Sequence, residues 1–389
     1  MNDRTYARRY LEQVYQDMPE IFPGSMVHFV FNGKTRLSRK MKLQMRKVRI
    51  SGVSYRLRPS FVLPYMRAKS TTVAHGLFLL RFGVPFWALA VVFGHNAMWW
   101  YRLFISLSRC NLVATTVYDS SRMPQHLLAD EHHVRIRGKK AYVATTIAEG
   151  CILGAEASNK ADEASLSDAY GVFARQVDQC LPGYMPVSVN TDGWWATQNA
   201  WAKLFPATEI IECFFHAYLK VRNRATKKLQ YWFCESAERI WNCYRATTKR
   251  QCAQRIRRLS EWANRALPES PMKHNVQKLI GKKKRWLAHF NNLKVHRTSN
   301  MLDRLMRVMA RHSYNSQKFH SNLQRTSMNF CALALIHNFT PSSPQVLART
   351  PGLISPAARL NKKVFHDDWL QNLMIASSLG GAGHHRNPL

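Results

Sequence analysis

Apolar residues recur at helical spacing in two adjoining stretches of the front third of the chain. Phe86, Leu89, Ala90 and Phe93 fall at i, i+3, i+4 and i+7, Gly94 is placed to stop a helix, and Asn96 to cap the next. Trp100, Leu103, Phe104 and Leu107 then repeat the pattern. The spacing predicts a helix, a tight turn and a second helix over 84–108, a helix-turn-helix candidate. In that motif Trp99, Tyr101 and Arg102 would face the major groove, although any antiparallel helix pair gives the same apolar spacing.

Beyond Cys110 the period shifts from helical to alternating. HLLADEHHVRI, KKAYVATTI and CILGAEAS are short β-rich runs separated by turn residues, and they predict three antiparallel strands. ADEASLSDAYGVFARQVDQC then reads as helix, MPVSVNTD as strand, WWATQNAWAKLF as helix and TEIIECFF as strand. The order βββαβαβ predicts an α/β layer architecture, a mixed sheet with helices on its faces. From residue 220 the pattern is helical again, with Trp232, Trp241, Trp262 and Trp286 spread through it, and core packing is the expected role for most of these. SNMLDRLMRVMARH and SMNFCALALIHNF predict two further helices. The Pro- and Gly-rich end, 341–389, reads as a tail whose last ten residues are mobile.

Charge changes the picture. Against 23 Asp and Glu stand 57 Lys and Arg, a formal net charge of +34, which excludes an ordinary metabolic enzyme and points to a polyanion as partner. Between Glu20 and Asp119 there is no acidic residue, while twelve Lys and Arg fall from Lys34 to Lys69; Arg36, Arg39 and Lys40 are candidate DNA contacts there. Residues 220–297 carry 21 Lys and Arg against four Glu, with Lys282, Lys283, Lys284 and Arg285 as a further candidate DNA-binding run. The eight cysteines follow no disulfide-framework spacing and read as reduced thiols. The start is polar, with no apolar signal core, and the longest apolar stretch, Leu77 to Phe93, is interrupted by Arg81, Gly83 and Pro85, so no membrane span is expected.

Three aspartates carry the candidate chemistry. Asp130 lies within the first alternating run, and Asp192 closes VSVNTDGWW just before a helix, at the strand edge where α/β folds place ligands. Two sheet-borne carboxylates suit Mg²⁺, which is commonly held by one or two of them with water and substrate phosphate completing its shell. Asp303 lies beside the stripe Leu302, Leu305, Met306 and Met309, three residues after Asn300, a candidate N-cap. Each has a plainer use: turn residue for Asp192, ion-pair partner for Asp130, helix-dipole partner for Asp303.

Together these blocks resemble the DDE/D transposases with a ribonuclease H-like catalytic domain, in particular the Mutator-type and hAT-like branch and its bacterial insertion-sequence relatives. ADEHHVRIRGKKAYVATTIAEGCILG resembles the first-Asp block and VNTDGWWATQNAWAKLFP the second. IIECFFHAYLKVRNR holds Cys213 and His216, similar to the branch's C-x-x-H signature on the strand after the second acid, and TSNMLDRLMR resembles the third-acid block. The likeness covers roughly residues 119–340; Asp303 stands where the branch usually has Glu, and the 111 residues from Asp192 to Asp303 leave room for its helical insertion. It implies a ribonuclease H-like mixed sheet flanked by helices (119–219 and 297–340), interrupted by an all-helical basic insertion (220–296), behind a basic DNA-binding region (1–118) with its helix-turn-helix candidate.

The resemblance further implies a transposase that cleaves transposon ends and transfers strands into target DNA. Asp130, Asp192 and Asp303 would hold two Mg²⁺ or Mn²⁺ ions, and Cys213, His216 and Asn300 would support them. A zinc role for Cys213 and His216 lacks a second Cys/His pair. The implied partners are double-stranded DNA, as terminal inverted repeats and as target, and further copies of the chain in a dimer or larger synaptic complex. A bacterial, nucleoid-associated cytoplasmic setting is expected, with a nuclear one the alternative. The departure at Asp303 keeps open a non-catalytic DNA-binding protein derived from a transposase. A structural RNA-binding protein would account for the charge but not for the acids.

Overall fold

The structure is a computed structural model that describes residues 3–26, 28–38, 42–63, 68–291, 298, 300–316 and 319–381. Two units divide it, one of residues 1–119 with 335–389, the other of 120–334.

The first unit opens with α1 (Arg4–Asp17), whose N-terminus is capped by Asp3 through the amides of Thr5 and Tyr6. A three-stranded antiparallel sheet follows, β1 (Val30–Lys34), β2 (Arg46–Ile50) and β3 (Val53–Leu57), in that order. Val48 and Ile50 turn inward at the period of two and pack with Leu11, Met26 and Phe29, while Arg49 between them points out. Four helices come next, α2 (Ser70–Arg81), α3 (Phe86–Phe93), α4 (Ala97–Ser106) and α5 (Leu112–Thr116). The turn between α3 and α4 is as the sequence predicts: Gly94 ends α3 at φ 75°, and the Asn96 side chain accepts the Trp99 amide at 2.7 Å. Trp100, Leu103, Phe104 and Leu107 are buried, and Trp100 lies against Gly76 of α2, where an added Cβ would stand 2.4 Å from the indole ring.

The second unit is built on a five-stranded mixed sheet. Its strands are β4 (His126–Ile136), β5 (Lys139–Ala148), β6 (Cys151–Ser158), β7 (Ser188–Thr191) and β8 (Glu209–Glu212), ordered β6-β5-β4-β7-β8. The first three pair antiparallel; β7 then runs parallel to both β4 and β8. Between the parallel strands come α6 (Glu163–Cys180) and α7 (Trp195–Leu204), which cover one face. After β8 the chain forms α8 (Phe214–Arg222), α9 (Gln230–Tyr244), α10 (Lys249–Ala266), α11 (Pro271–Gly281) and α12 (Lys283–Ala288). These enclose their own core, in which Trp262 and Trp286 are buried and Trp232 and Trp241 pack at its margin. The insertion's tryptophans are therefore core residues. The helix α13 (Asn300–Asn315) lies on the sheet face opposite α6, and α14 (Leu323–Phe339) packs beside it through Phe330 and His312.

Short helices α15 (Pro344–Leu347) and α16 (Pro356–Asn361), then α17 (Trp369–Leu379), complete the first unit within the segment the sequence reads as a tail. They are anchored: the Asn361 amide donates to the Thr116 carbonyl at 2.8 Å, and the Tyr118 hydroxyl donates to the Lys363 carbonyl. Among the described residues no helix is long and apolar enough to cross a membrane.

Candidate functional site

The site is set by sheet register. In the parallel pair Leu128 faces Asn190, so two residues further along, Asp130 and Asp192 stand side by side where β7 ends. That is the carboxyl end of the parallel strands, where side chains project into the crevice beyond the sheet. Both are half-buried.

Each is fixed locally. Asp130 accepts the Glu131 amide at 2.8 Å. Asp192 accepts the Trp194 amide at 2.8 Å in an Asx turn, and Lys220 Nζ donates to its carbonyl at 3.2 Å. Burial, reinforced by the negative charges of Asp192 and Glu131, pushes the Asp130 carboxyl up to about 7. Glu131 is turned to the opposite face by the alternation of β4 and is also raised, chiefly by burial. There its Oε1 accepts Tyr170 Oη at 2.7 Å and Thr197 Oγ1 at 2.8 Å, which ties α6 and α7 to the strand that carries Asp130.

Cys213 and His216 lie one element later than the sequence reading places them. β8 stops at Glu212, Cys213 is the N-cap of α8, and His216 falls in its first turn. His216 is pushed up to about 9, first by its hydrogen bond to the Cys213 side chain and then, against burial, by the charges of Cys213, Asp130 and Asp303. Both the first and the third aspartate thus bear on this imidazole.

Asp303 is in the first turn of α13, which begins at Asn300. Met309 reaches Thr145 Oγ1 at 3.7 Å, and Thr145 is the cross-strand partner of Asp130. The helix thus packs on β5 beside the strand that carries Asp130, and Asp130 and Asp303 both act on His216. Among the described residues no group of three or more His, Cys, Asp or Glu side chains is arranged to hold a metal ion. The donor set that fits a divalent cation is the Asp130–Asp192 pair, since two crowded carboxylates gain from a shared positive charge.

The remaining sequence candidates are dispersed. Lys282 Nζ meets Glu212 Oε1 at 2.6 Å and Arg285 meets Oε2 at 3.5 Å, while Arg285 also donates to Gln198; both are thereby turned toward the sheet edge. Lys283 and Lys284 beside them are exposed, as are Arg36 and Arg102, and Trp99 is half-buried and stacked on His95 at 4.0 Å. Arg39 and Lys40 lie outside the described residues.

Glu212 was not legible as a site residue. Its side chain is fully buried one register step before Asp192, under Gly193, whose φ is 88° and where a Cβ would stand 2.3 Å from Glu212 Oε1. A strand-terminal Glu followed 70 residues later by a basic run carries no local signal of that pairing. Trp195, 61% exposed three residues after Asp192, is a second unforeseen neighbour. No family model matches the chain, and no curated protein matches it.

Proposed function

We propose that the chain is a DNA transposase of the DDE/D type, with a ribonuclease H-like second unit, that cleaves and joins phosphodiesters. The observation that carries this reading is the register of β4 and β7, which sets Asp130 beside Asp192 at the sheet's carboxyl edge in a chain of charge +34. The meander of three strands followed by alternating helix and strand is the architecture the resemblance implies.

Asp130 and Asp192 would hold a divalent cation. When bound, such an ion activates water or a 3′-hydroxyl and stabilises the leaving oxygen of an in-line displacement. The chain's own residues prepare that chemistry. Asp130 must give up its proton to serve as a ligand, and burial with two neighbouring acids holds its carboxyl up at about 7, with a proton that a cation would displace. The Trp194 amide and Lys220 hold the Asp192 turn. His216, pushed up to about 9 by its bond to Cys213 and by the two acids, stands near the first and third acids, where a phosphodiester strand would have to approach. Double-stranded DNA at element ends and at the target, and a dimer or larger assembly pairing two ends, belong to the same proposal.

Asp130→Asn, Asp192→Asn and Asp303→Asn test it on linear DNA carrying the element's own ends, with Mg²⁺ or Mn²⁺. Loss of cutting by at least a hundredfold in the first two variants, with DNA binding kept, is the expected result. Unchanged cutting in all three would sink the assignment. A second reading, a DNA-binding protein without catalysis, rests on Asp303 standing where the resemblance expects Glu; it requires salt-sensitive binding and no metal-dependent cleavage by the unaltered chain.

A further inference from the structure

Beyond the end of β7, the edge of β4 is left open as far as Phe319, which exchanges backbone hydrogen bonds with Arg135 and Arg137. A cavity of about 350 Å³ opens there, between the β4–β5 hairpin and the last turn of α13. Val134 and Phe319 give it apolar walls, and His133, Arg135, Lys140, Ser313 and Tyr314 give it polar ones. Among the described residues its lining has no carboxylate.

Two features make this more than a solvated basic turn. Arg135 and Lys140 are direct cross-strand partners, both exposed, a juxtaposition of like charges that a bound anion would relieve; Arg135 Nη1 also donates to the Gly138 carbonyl at 3.1 Å across the turn. Lys140 is held over the Tyr142 ring at 5.2 Å, and Tyr142 packs edge-on to His133 at 5.1 Å, so Lys140 is presented on an aromatic base. On α13, Arg304, Arg307, Arg311 and Tyr314 recur at intervals of three, four and three, and all four are exposed. Among the described residues none of these arginines is ion-paired with a carboxylate. The stripe starts at Arg304, next to Asp303, and ends at the cavity, ten residues later, a rise of about 15 Å, or four to five stacked nucleotides at about 3.4 Å each. Tyr314, 85% exposed at its end, presents a free ring.

We propose that this stripe and cavity bind a single-stranded DNA segment next to the reacting phosphodiester. The arginines of α13 track its backbone, Arg135 and Lys140 hold a phosphate, and one base enters the cavity against Tyr314. The inference rests on the reading of the chain as a DNA-processing enzyme and adds to it where the unpaired strand goes. A cavity of this size suits one nucleotide, and stacking on an exposed aromatic ring beside a cationic groove is how unpaired strands are gripped irrespective of sequence.

The test uses the full chain in EDTA, with a labelled twelve-nucleotide single strand followed by fluorescence anisotropy across a salt series. Arg135→Ala with Lys140→Ala should weaken binding about tenfold or more and flatten the slope of log affinity against log salt by about 0.7, the value for the one phosphate they hold. The charge-conserving exchange Arg135→Lys with Lys140→Arg should restore most of both. Tyr314→Ala should cost about tenfold and Tyr314→Phe little, because the ring supplies the stacking. Wild-type affinity and slope in the double alanine variant would overturn the proposal, as would a Tyr314→Ala loss equally large on a blunt duplex of the same length. Cleavage is scored separately: a chain that never cuts DNA but shows these binding losses keeps this proposal and loses the enzymatic one, and the reverse pattern does the opposite.

Discussion

Asp130 shows what a site costs the fold that carries it. An isolated carboxyl titrates near 4, and this one is held near 7 by burial and by two neighbouring acids, so the folded chain keeps a proton that the unfolded chain releases between those values. Stability from this residue therefore falls as pH rises from about 4 to 7, and the whole penalty, at most about 4 kcal/mol, is present above 7. Asp130→Asn should raise the thermal midpoint at pH 8 while leaving it nearly unchanged at pH 4. Millimolar Mg²⁺ should raise the midpoint of the unaltered chain at pH 8 and not that of the variant. Differential scanning calorimetry reads both; a variant that melts lower at pH 8 would show that the carboxylate is stabilised rather than strained.

At the scale of elements, the close approaches are made by glycines. Gly193 needs a positive φ and lies on Glu212, and Gly76 lies on the indole of Trp100. Gly193→Ala combines backbone strain with collision against a buried carboxylate, and Gly76→Ala collides with a ring that has no exposed edge. Each should cost about 1–3 kcal/mol in urea denaturation, the usual range for overpacking and for strained backbone. An alanine variant at either place with wild-type stability would mean the neighbour moves aside freely.

The elements also show what the sequence discloses. β4, β5 and β6 are legible because alternation and turn residues agree, and α13 because its apolar stripe is regular. The small sheet β1–β3 is missed because RKVRI hides two inward residues, Val48 and Ile50, among three cations, so charge masks the period. The boundary between β8 and α8 is blurred because EIIECFFHAYL is nearly continuously apolar and fits either period; hence Cys213 and His216 read as strand. At the chain's end, Pro344 and Pro356 look like breakers but occupy first helical positions, where a missing N–H is harmless, and Asp368 caps α17. Of the candidate site, the Asp130–Asp192 adjacency follows from strand order. Where Asp303 comes to lie depends on how α13 packs across the sheet, which no local pattern encodes.

For the whole molecule, acid sensitivity follows from histidines buried uncharged. Burial pushes His132 and His312 down to about 4; His132 meets Ser313 of α13, and His312 lies on α13 against Phe319 and Phe330. Between about 6.5 and 4 the unfolded chain binds protons at these rings and the folded chain does not, so stability rises with pH across that window and is lost on acidification. His312 alone accounts for roughly 3 kcal/mol of that loss. His312→Phe should therefore narrow the difference between thermal midpoints at pH 7 and pH 4.5, and an undiminished difference would show that other groups govern acid unfolding. Added salt should raise the midpoint at either pH, since a chain of charge +34 repels itself.

The burial of Glu212 bears on how the molecule can be re-engineered. Its countercharges, Lys282 and Arg285, come from the far end of the 220–296 segment, so that segment is not a detachable accessory. A shortened or transplanted connector between β8 and α13 would have to supply its own cation at that spot, or Glu212 would have to be exchanged in the same step for a neutral residue of like volume.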